Sequence, residues 1–152
     1  MTSGRKTRAI SRPVIGWREW AALPDLGIDQ VKAKIDTGAR TSALHAVRVS
    51  NARKGDVDIV RFEIHPLQRR SHPSVHCEAE LVDERYVRSS DGVRELRPVV
   101  ETTIVVGEDA WSIELTLTDR ALMGFRLLLG RRALRRRFVV DPSRSWLRSD
   151  RS

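Results

Sequence analysis

The sequence predicts an all-β domain with one short helix near its C-terminus, on three observations. Short apolar runs rich in Val, Ile and Leu recur between turn residues. Two pairs of runs are joined by hairpin turns, at 107–109 and 89–92. A single stretch, 131–138, has helical spacing, with Ala133, Leu134 and Phe138 on one side and arginines on the other.

Residues 1–11 form a basic lead-in of Ser, Gly and Thr with the composition of a disordered tail. Residues 14–20 read as a strand that ends at a turn over 24–27. In Ile28–Ile35, the apolar Ile28, Val31, Ala33 and Ile35 interleave with Asp29, Gln30, Lys32 and Lys34. Residues 43–49 alternate again, and further strands fit 57–64, 76–82, 99–106 and 111–117. Gly107-Glu108-Asp109 turns between two β-branched runs. Ser89-Ser90-Asp91-Gly92 does the same between 86–88 and 93–96, which makes a polar hairpin tip. One ordered domain is expected over 12–147, with 148–152 as a C-terminal tail.

With 152 residues there is room for about one domain, and 40% hydrophobic content can fill one core. The apolar runs fall far short of the roughly 20 residues a membrane span needs. MTSGRKTRAI is followed by no apolar signal-peptide core, so export is not expected. The lone Cys77 rules out an internal disulfide and fits a reducing cytoplasm. A net charge of +8 is carried by 24 arginines and 4 lysines. That balance suits a nucleic acid or an acidic peptide, and composition does not choose between them.

The residues that bear on chemistry are Asp36, Thr37, Gly38 and Ala39. A D-T-G tripeptide alone is weak, arising by chance in on the order of a few per cent of chains this long. As a plain β-turn it would have Asp36 capping its own backbone and Gly38 supplying a permissive dihedral. Its context says more: an alternating strand runs into Asp36, a second strand follows, and late in the chain comes Phe125-Arg126-Leu127-Leu128-Leu129-Gly130-Arg131.

Strand plus D-T-G-A, hairpin flap, and an apolar-apolar-G-R segment leading into a helix occur here in that order. On these residues the chain resembles the retropepsins, the single-domain aspartic proteases of retroviruses. It is more similar still to a bacterial retropepsin-like family often labelled ATP-dependent zinc proteases, over roughly residues 12–147. The segments K-I-D-T-G-A-R-T-S-A-L-H-A (34–46), T-L-T-D-R (116–120) and L-L-G-R (128–131) carry that likeness. The resemblance implies a closed acid-protease barrel and an aspartic-type endopeptidase acting on peptide or protein substrates. It also implies a functional link to an ATP-grasp ligase that adds glutamates.

Chemistry of this class needs a water held between two carboxylates that share one proton. Two such groups about 3 Å apart do not both ionise, so one acts as base and the other as acid. The chain has a single D-T-G, so a second copy across a two-fold axis must complete the site. Asp36 is thus the expected catalytic residue of a homodimer. Arg40, Arg88, Ser89 and Ser90 are candidates for substrate binding. The retroviral pattern has acidic residues just after D-T-G-A, one of which pairs with the Arg of G-R. Arg40 and Thr41 stand there instead, so Arg131 must find another partner. The flap tip carries Ser and Asp where retroviral flaps are Gly-rich.

Neither zinc nor ATP finds a motif: there is no H-E-x-x-H and no G-x-x-x-x-G-K-[ST] loop. His72, His76 and Cys77 are close in sequence and of types that bind soft metals, but Pro73 breaks the spacing that would align them. His45 reads as structural. No metal and no cofactor is expected. As adjacent strand residues, His76 and Cys77 point to opposite faces and cannot form a nucleophile–base pair. Arg131, Arg132, Arg135, Arg136 and Arg137 form the densest basic run, a solvated face or an acidic-peptide or RNA contact. The rival to a peptidase is a binding module that holds an acidic peptide or RNA on that surface, with nucleic acid the less favoured partner.

Overall fold

The computed structural model describes residues 11–67, 72–89 and 91–149. The strands are β1 (Val14–Gly16), β2 (Arg18–Leu23), β3 (Ile28–Ile35), β4 (Ser42–His45), β5 (Val47–Lys54) and β6 (Val57–Ile64). They continue with β7 (Val75–Glu80), β8 (Asp83–Arg88), β9 (Arg94–Val106), β10 (Asp109–Thr118), β11 (Leu127–Leu129) and β12 (Val139–Asp141). One helical turn, α1 (Arg131–Leu134), follows β11.

Alternation decides the barrel. Along β3 the apolar residues face inward, where Val31 and Ala33 are wholly buried, and Lys32 and Lys34 face outward. The chain of neighbours β10-β4-β11-β3-β2-β9 closes on itself because β9 also pairs with β10, and β8 hangs from β9 as an outer strand. Closure leaves the six barrel strands without a free edge. Leu44, Leu115, Leu127 and Leu129 fill the interior. A three-stranded sheet, β5-β6-β7, lies alongside and adds Phe62, Ile64 and Cys77 to the same core. The closed all-β barrel with one short helix is therefore as expected, and among the described residues no helix is long and apolar enough to cross a membrane.

Four expectations need correction. The strand at 14–20 is two strands: β1 runs parallel to β12, and β2 pairs with β3. The break falls at Trp17, whose N–H donates to the Arg144 carbonyl at 2.8 Å; an added Cβ on the preceding Gly16 would lie 2.6 Å from that oxygen. The strand at 43–49 divides at Ala46, with Arg48 at a φ of 53° and a register shift between Val47 and Ser50. The helix at 131–138 ends after Leu134. Arg135 is extended and Arg136 has a φ of 69°, so the chain swings Phe138 against Trp111, with ring centroids 5.3 Å apart.

The fourth concerns the C-terminus. Arg148 and Ser149, placed at the start of a tail, are pinned to the barrel by the fully buried Glu19. One Glu19 oxygen accepts the Gly16 N–H at 2.7 Å and the Leu147 N–H at 3.0 Å. The other accepts the Arg148 N–H at 3.1 Å, the Ser149 N–H at 3.1 Å and the Ser149 hydroxyl at 2.7 Å. A buried carboxylate is tolerated because it is met by this many donors. Residues 1–10, most of the expected lead-in, and residues 150–152 lie outside the described residues.

Candidate active site

The D-T-G loop is built from below. β11 lies between β3, to which it is parallel, and β4, to which it is antiparallel. The loop joining β3 to β4 must therefore arch over the end of β11. There the Asp36 N–H donates to the Leu129 carbonyl at 2.8 Å, and the Arg131 N–H donates to the Ala39 carbonyl at 2.8 Å. The Arg132 N–H reaches the Arg40 carbonyl at 3.1 Å, and the Gly130 N–H reaches the Ser42 hydroxyl at 3.0 Å. Gly130 is needed for this approach, since a Cβ there would sit 2.5 Å from the Thr41 carbonyl oxygen. The L-L-G-R segment is thus the bed of the D-T-G loop, which explains the two motifs' joint presence.

Asp36 is half-buried at the end of β3, and Thr37 and Gly38 are exposed at the crest. The Gly38 N–H donates to Asp36 Oδ1 at 2.9 Å and fixes the carboxyl rotamer. Read as a plain β-turn, Gly38 would supply a permissive dihedral, but it is not among the glycines with positive φ. It instead stays close to the carboxylate, as its Cβ would lie 3.2 Å from Asp36 Oδ1. Arg131 finds its partner locally: Nη1 donates to the Thr37 carbonyl at 3.0 Å.

A cleft of about 1010 Å³ opens beside Asp36. Gly38, Ala39 and Arg40 line its near side, and Tyr86, Arg88 and Ser89 of the β8–β9 hairpin line the far side. The hairpin turn is held internally: the Ser89 N–H donates to the Val93 carbonyl at 2.9 Å, and the Ser89 hydroxyl contacts the Asp91 carboxylate. That hydroxyl and then the Val93 N–H hold Asp91 below the usual carboxylate range. Arg88 Nη1 is turned to the Gly92 carbonyl at 3.0 Å. Ser90 lies outside the described residues. Three further arginines that spacing did not single out, Arg85, Arg97 and Arg120, also line the cleft. The signal that could have found Arg120 is the T-L-T-D-R segment, which ends on it.

A second concavity of about 750 Å³ shares Thr41, Arg85 and Arg132 with the first and continues it toward Trp111, Arg135, Arg136 and Arg137. Arg85 is engaged by Glu114 at 2.8 Å and Asp83 at 2.9 Å, whereas Arg132, Arg135 and Arg136 have no ion pair among the described residues. Arg137 stacks over Trp111 at 5.4 Å, so an aromatic does lie beside the basic run, but it is buried beneath it.

The histidines and the cysteine do not converge. Cys77 is buried and its thiol donates to the Leu26 carbonyl at 3.4 Å, whereas His76 and His72 are exposed. Burial pushes the Cys77 thiol up to about 11. Among the described residues no group of three or more His, Cys, Asp or Glu side chains could hold a metal ion. His45 meets Arg126 Nη1 through Nδ1 at 3.2 Å, and burial, then the Arg126 charge, lowers its proton affinity.

Comparison with known proteins agrees with this geometry. The family described as "Retropepsin-like aspartic endopeptidase RimB" matches residues 14–151. A Shewanella pealeana protein named "Probable alpha-L-glutamate ligase" is 44% identical over 133 residues, 88% of this chain and 29% of its own length. A like-named Desulfotalea psychrophila protein is 40% identical over 134 residues, 88% of this chain and 29% of its own. The chain thus spans under a third of the curated relatives it matches. A Legionella pneumophila crystal structure of unknown function superposes with a TM-score of 0.73 at 30% identity, covering 90% of this chain and 98% of the other. With the D-T-G loop, its L-L-G-R bed and the overhanging hairpin in place, the chain belongs to the RimB-like family of retropepsin-like aspartic endopeptidases.

Proposed function

We propose that the chain is an aspartic peptidase that works as a homodimer and cuts acidic, glutamate-rich peptides. The observation that carries the reading is Asp36 on a braced, outward-facing loop beside a cleft that a peptide can occupy. Each copy would contribute one Asp36 carboxylate. The ionised member removes a proton from the bound water as its oxygen attacks the scissile carbonyl carbon. The protonated member gives its proton toward the carbonyl oxygen, and collapse of the tetrahedral intermediate breaks the C–N bond with proton transfer to the leaving amine. The exposed Thr37 and Gly38 are the parts of the loop free to meet the partner loop.

The substrate class is supported by charge. Arg40, Arg88 and Arg120 line the cleft, and Arg132, Arg135 and Arg136 continue it. Guanidinium forks bind carboxylates in pairs. Relatives that carry a similar region bear the name of a glutamate ligase. A chain built by such a ligase would be a fitting substrate, and the ligase itself a functional partner of this domain.

The test is cleavage of a peptide series of rising glutamate content by wild type and Asp36→Asn, with oligomeric state measured by sedimentation. Asp36→Asn should lose about 10²–10⁴-fold or more in rate while keeping its fold. Retained cleavage in that variant, or a wild type that stays monomeric while active, would sink the two-carboxylate mechanism. Cleavage indifferent to glutamate content and salt would remove the acidic-substrate reading. Tight RNA binding without cleavage would put a binding module in its place.

A further inference from the structure

Besides meeting β2 at Val105, β9 has two longer partners in succession. It pairs with β10 from Val106 back only to Val99, and from Val99 back to Arg94 it pairs with β8. β9 and β10 thus part at the cleft, where among the described residues no ladder of backbone hydrogen bonds ties the hairpin to β10. Side chains fill that gap. Glu95 and Arg97 share one face of β9, and Arg97 Nε donates to Glu95 Oε1 at 2.6 Å. The Thr118 hydroxyl donates to the same oxygen at 2.9 Å, and Arg120 Nε lies 3.9 Å from Glu95 Oε2. Arg120 Nη1 also approaches Asp91 Oδ2 in the hairpin turn, at 3.6 Å.

The chain of contacts continues downward. Arg97 Nη1 donates to the Thr116 hydroxyl at 3.5 Å, and that hydroxyl donates to the Ser42 carbonyl at 3.1 Å. Ser42 is the residue whose own hydroxyl receives the Gly130 N–H under the D-T-G loop. A polar path therefore runs from the hairpin turn to the bed of Asp36. Its central pair is shielded, with the Arg97 side chain 6% exposed and that of Glu95 26%. A pair this sheltered is costly to break, because the remaining charge is left in a poorly hydrated site.

We propose that Glu95 is a positioning residue that latches the 83–97 hairpin over the Asp36 cleft, with Arg97, Thr118 and Arg120 as its partners. The latch gives Thr118 and Arg120 of the T-L-T-D-R segment a role. Its consequence for substrate fit rests on the peptidase reading, whereas the latch itself does not. Glu95→Gln keeps the size and removes the charge, and Thr118→Val and Thr118→Ser test the hydroxyl. Amide exchange in 84–94 should quicken about tenfold or more in Glu95→Gln and Thr118→Val, with β3 and β11 unchanged and Thr118→Ser like wild type. On a cleaved peptide, KM should rise by a larger factor than kcat falls, since a looser hairpin costs binding before it touches the carboxylates. Unchanged exchange in both Glu95→Gln and Thr118→Val overturns the latch. Exchange that quickens everywhere also overturns it, because Glu95 would then be a general stabiliser. Quickened hairpin exchange in a protein that cleaves no peptide supports the latch and counts against the peptidase reading alone.

Discussion

Gly130→Ala tests whether the bed of the D-T-G loop sets the site. The added Cβ would fall 2.5 Å from the Thr41 carbonyl oxygen, 2.7 Å from the Thr41 carbonyl carbon and 2.9 Å from the Ala39 carbonyl oxygen. Non-bonded contacts of this kind settle at roughly 3.5 Å, so the loop must lift by about 1 Å. That movement strains the Arg131–Ala39 and Arg132–Arg40 backbone bonds, now 2.8 and 3.1 Å. Overpacking costs about 1–3 kcal/mol and a weakened backbone bond about 0.5–1.5 kcal/mol, which gives roughly 2–4 kcal/mol in all. At about 2–4 °C per kcal/mol for a domain of this size, Tm should fall by roughly 5–15 °C. A 1 Å misplacement of Asp36 should cost about 10²-fold in turnover of a cleaved peptide. Thermal melting and peptide turnover read the two effects separately. A Tm within about 2 °C of wild type together with unchanged turnover would refute the reasoning, since the loop would then not rest on Gly130.

Glu19→Gln exchanges one oxygen of the buried carboxylate for an NH₂ that faces N–H donors, so about two bonds are lost. The expected destabilisation is about 2–5 kcal/mol by chemical denaturation, with faster exchange at 145–149, and a loss under about 0.5 kcal/mol would show that water replaces the carboxylate. Cys77, with its thiol raised to about 11 and its side chain buried, should carry about a hundredfold less thiolate than an ordinary cysteine. A thiol reagent at pH 8 should therefore label it only on unfolding, and rapid labelling of the native protein would contradict its placement. Glu63 is held below its usual range first by Arg48, whose Nη1 lies 2.8 and 3.0 Å from its two oxygens, and then by the Ser74 hydroxyl at 2.9 Å. Its contribution is present above the ordinary glutamate value of 4.5 and lost as pH falls through the lower folded value. Glu63→Gln should therefore flatten the fall of Tm below about pH 4.5, and an unchanged acid limb would discount the pairing.

Local signals in the sequence determined much of the fold. The period of two in Ile28–Ile35 fixed which face of β3 enters the barrel, and the Gly107-Glu108 turn fixed the β9–β10 hairpin, because both depend on near neighbours alone. Asp36 was legible for the same reason: a D-T-G turn, its incoming strand and a later L-L-G-R are short patterns with fixed chemistry. Contacts between distant residues decided the rest. Nothing in 131–138 says that the helix stops after one turn, since the cause is the seating of Phe138 on Trp111. Nothing near Glu19 predicts that it will hold residues 147–149, because its donors come from the other end of the chain. The same holds for Arg97, which in sequence is one arginine among 24. Only where β9 leaves β10 does a charge pair with Glu95 take the place of the missing ladder. Short-range periodicity can be read along a line, whereas a buried charge is explained by what surrounds it in space, and closing the barrel is what brings those groups together.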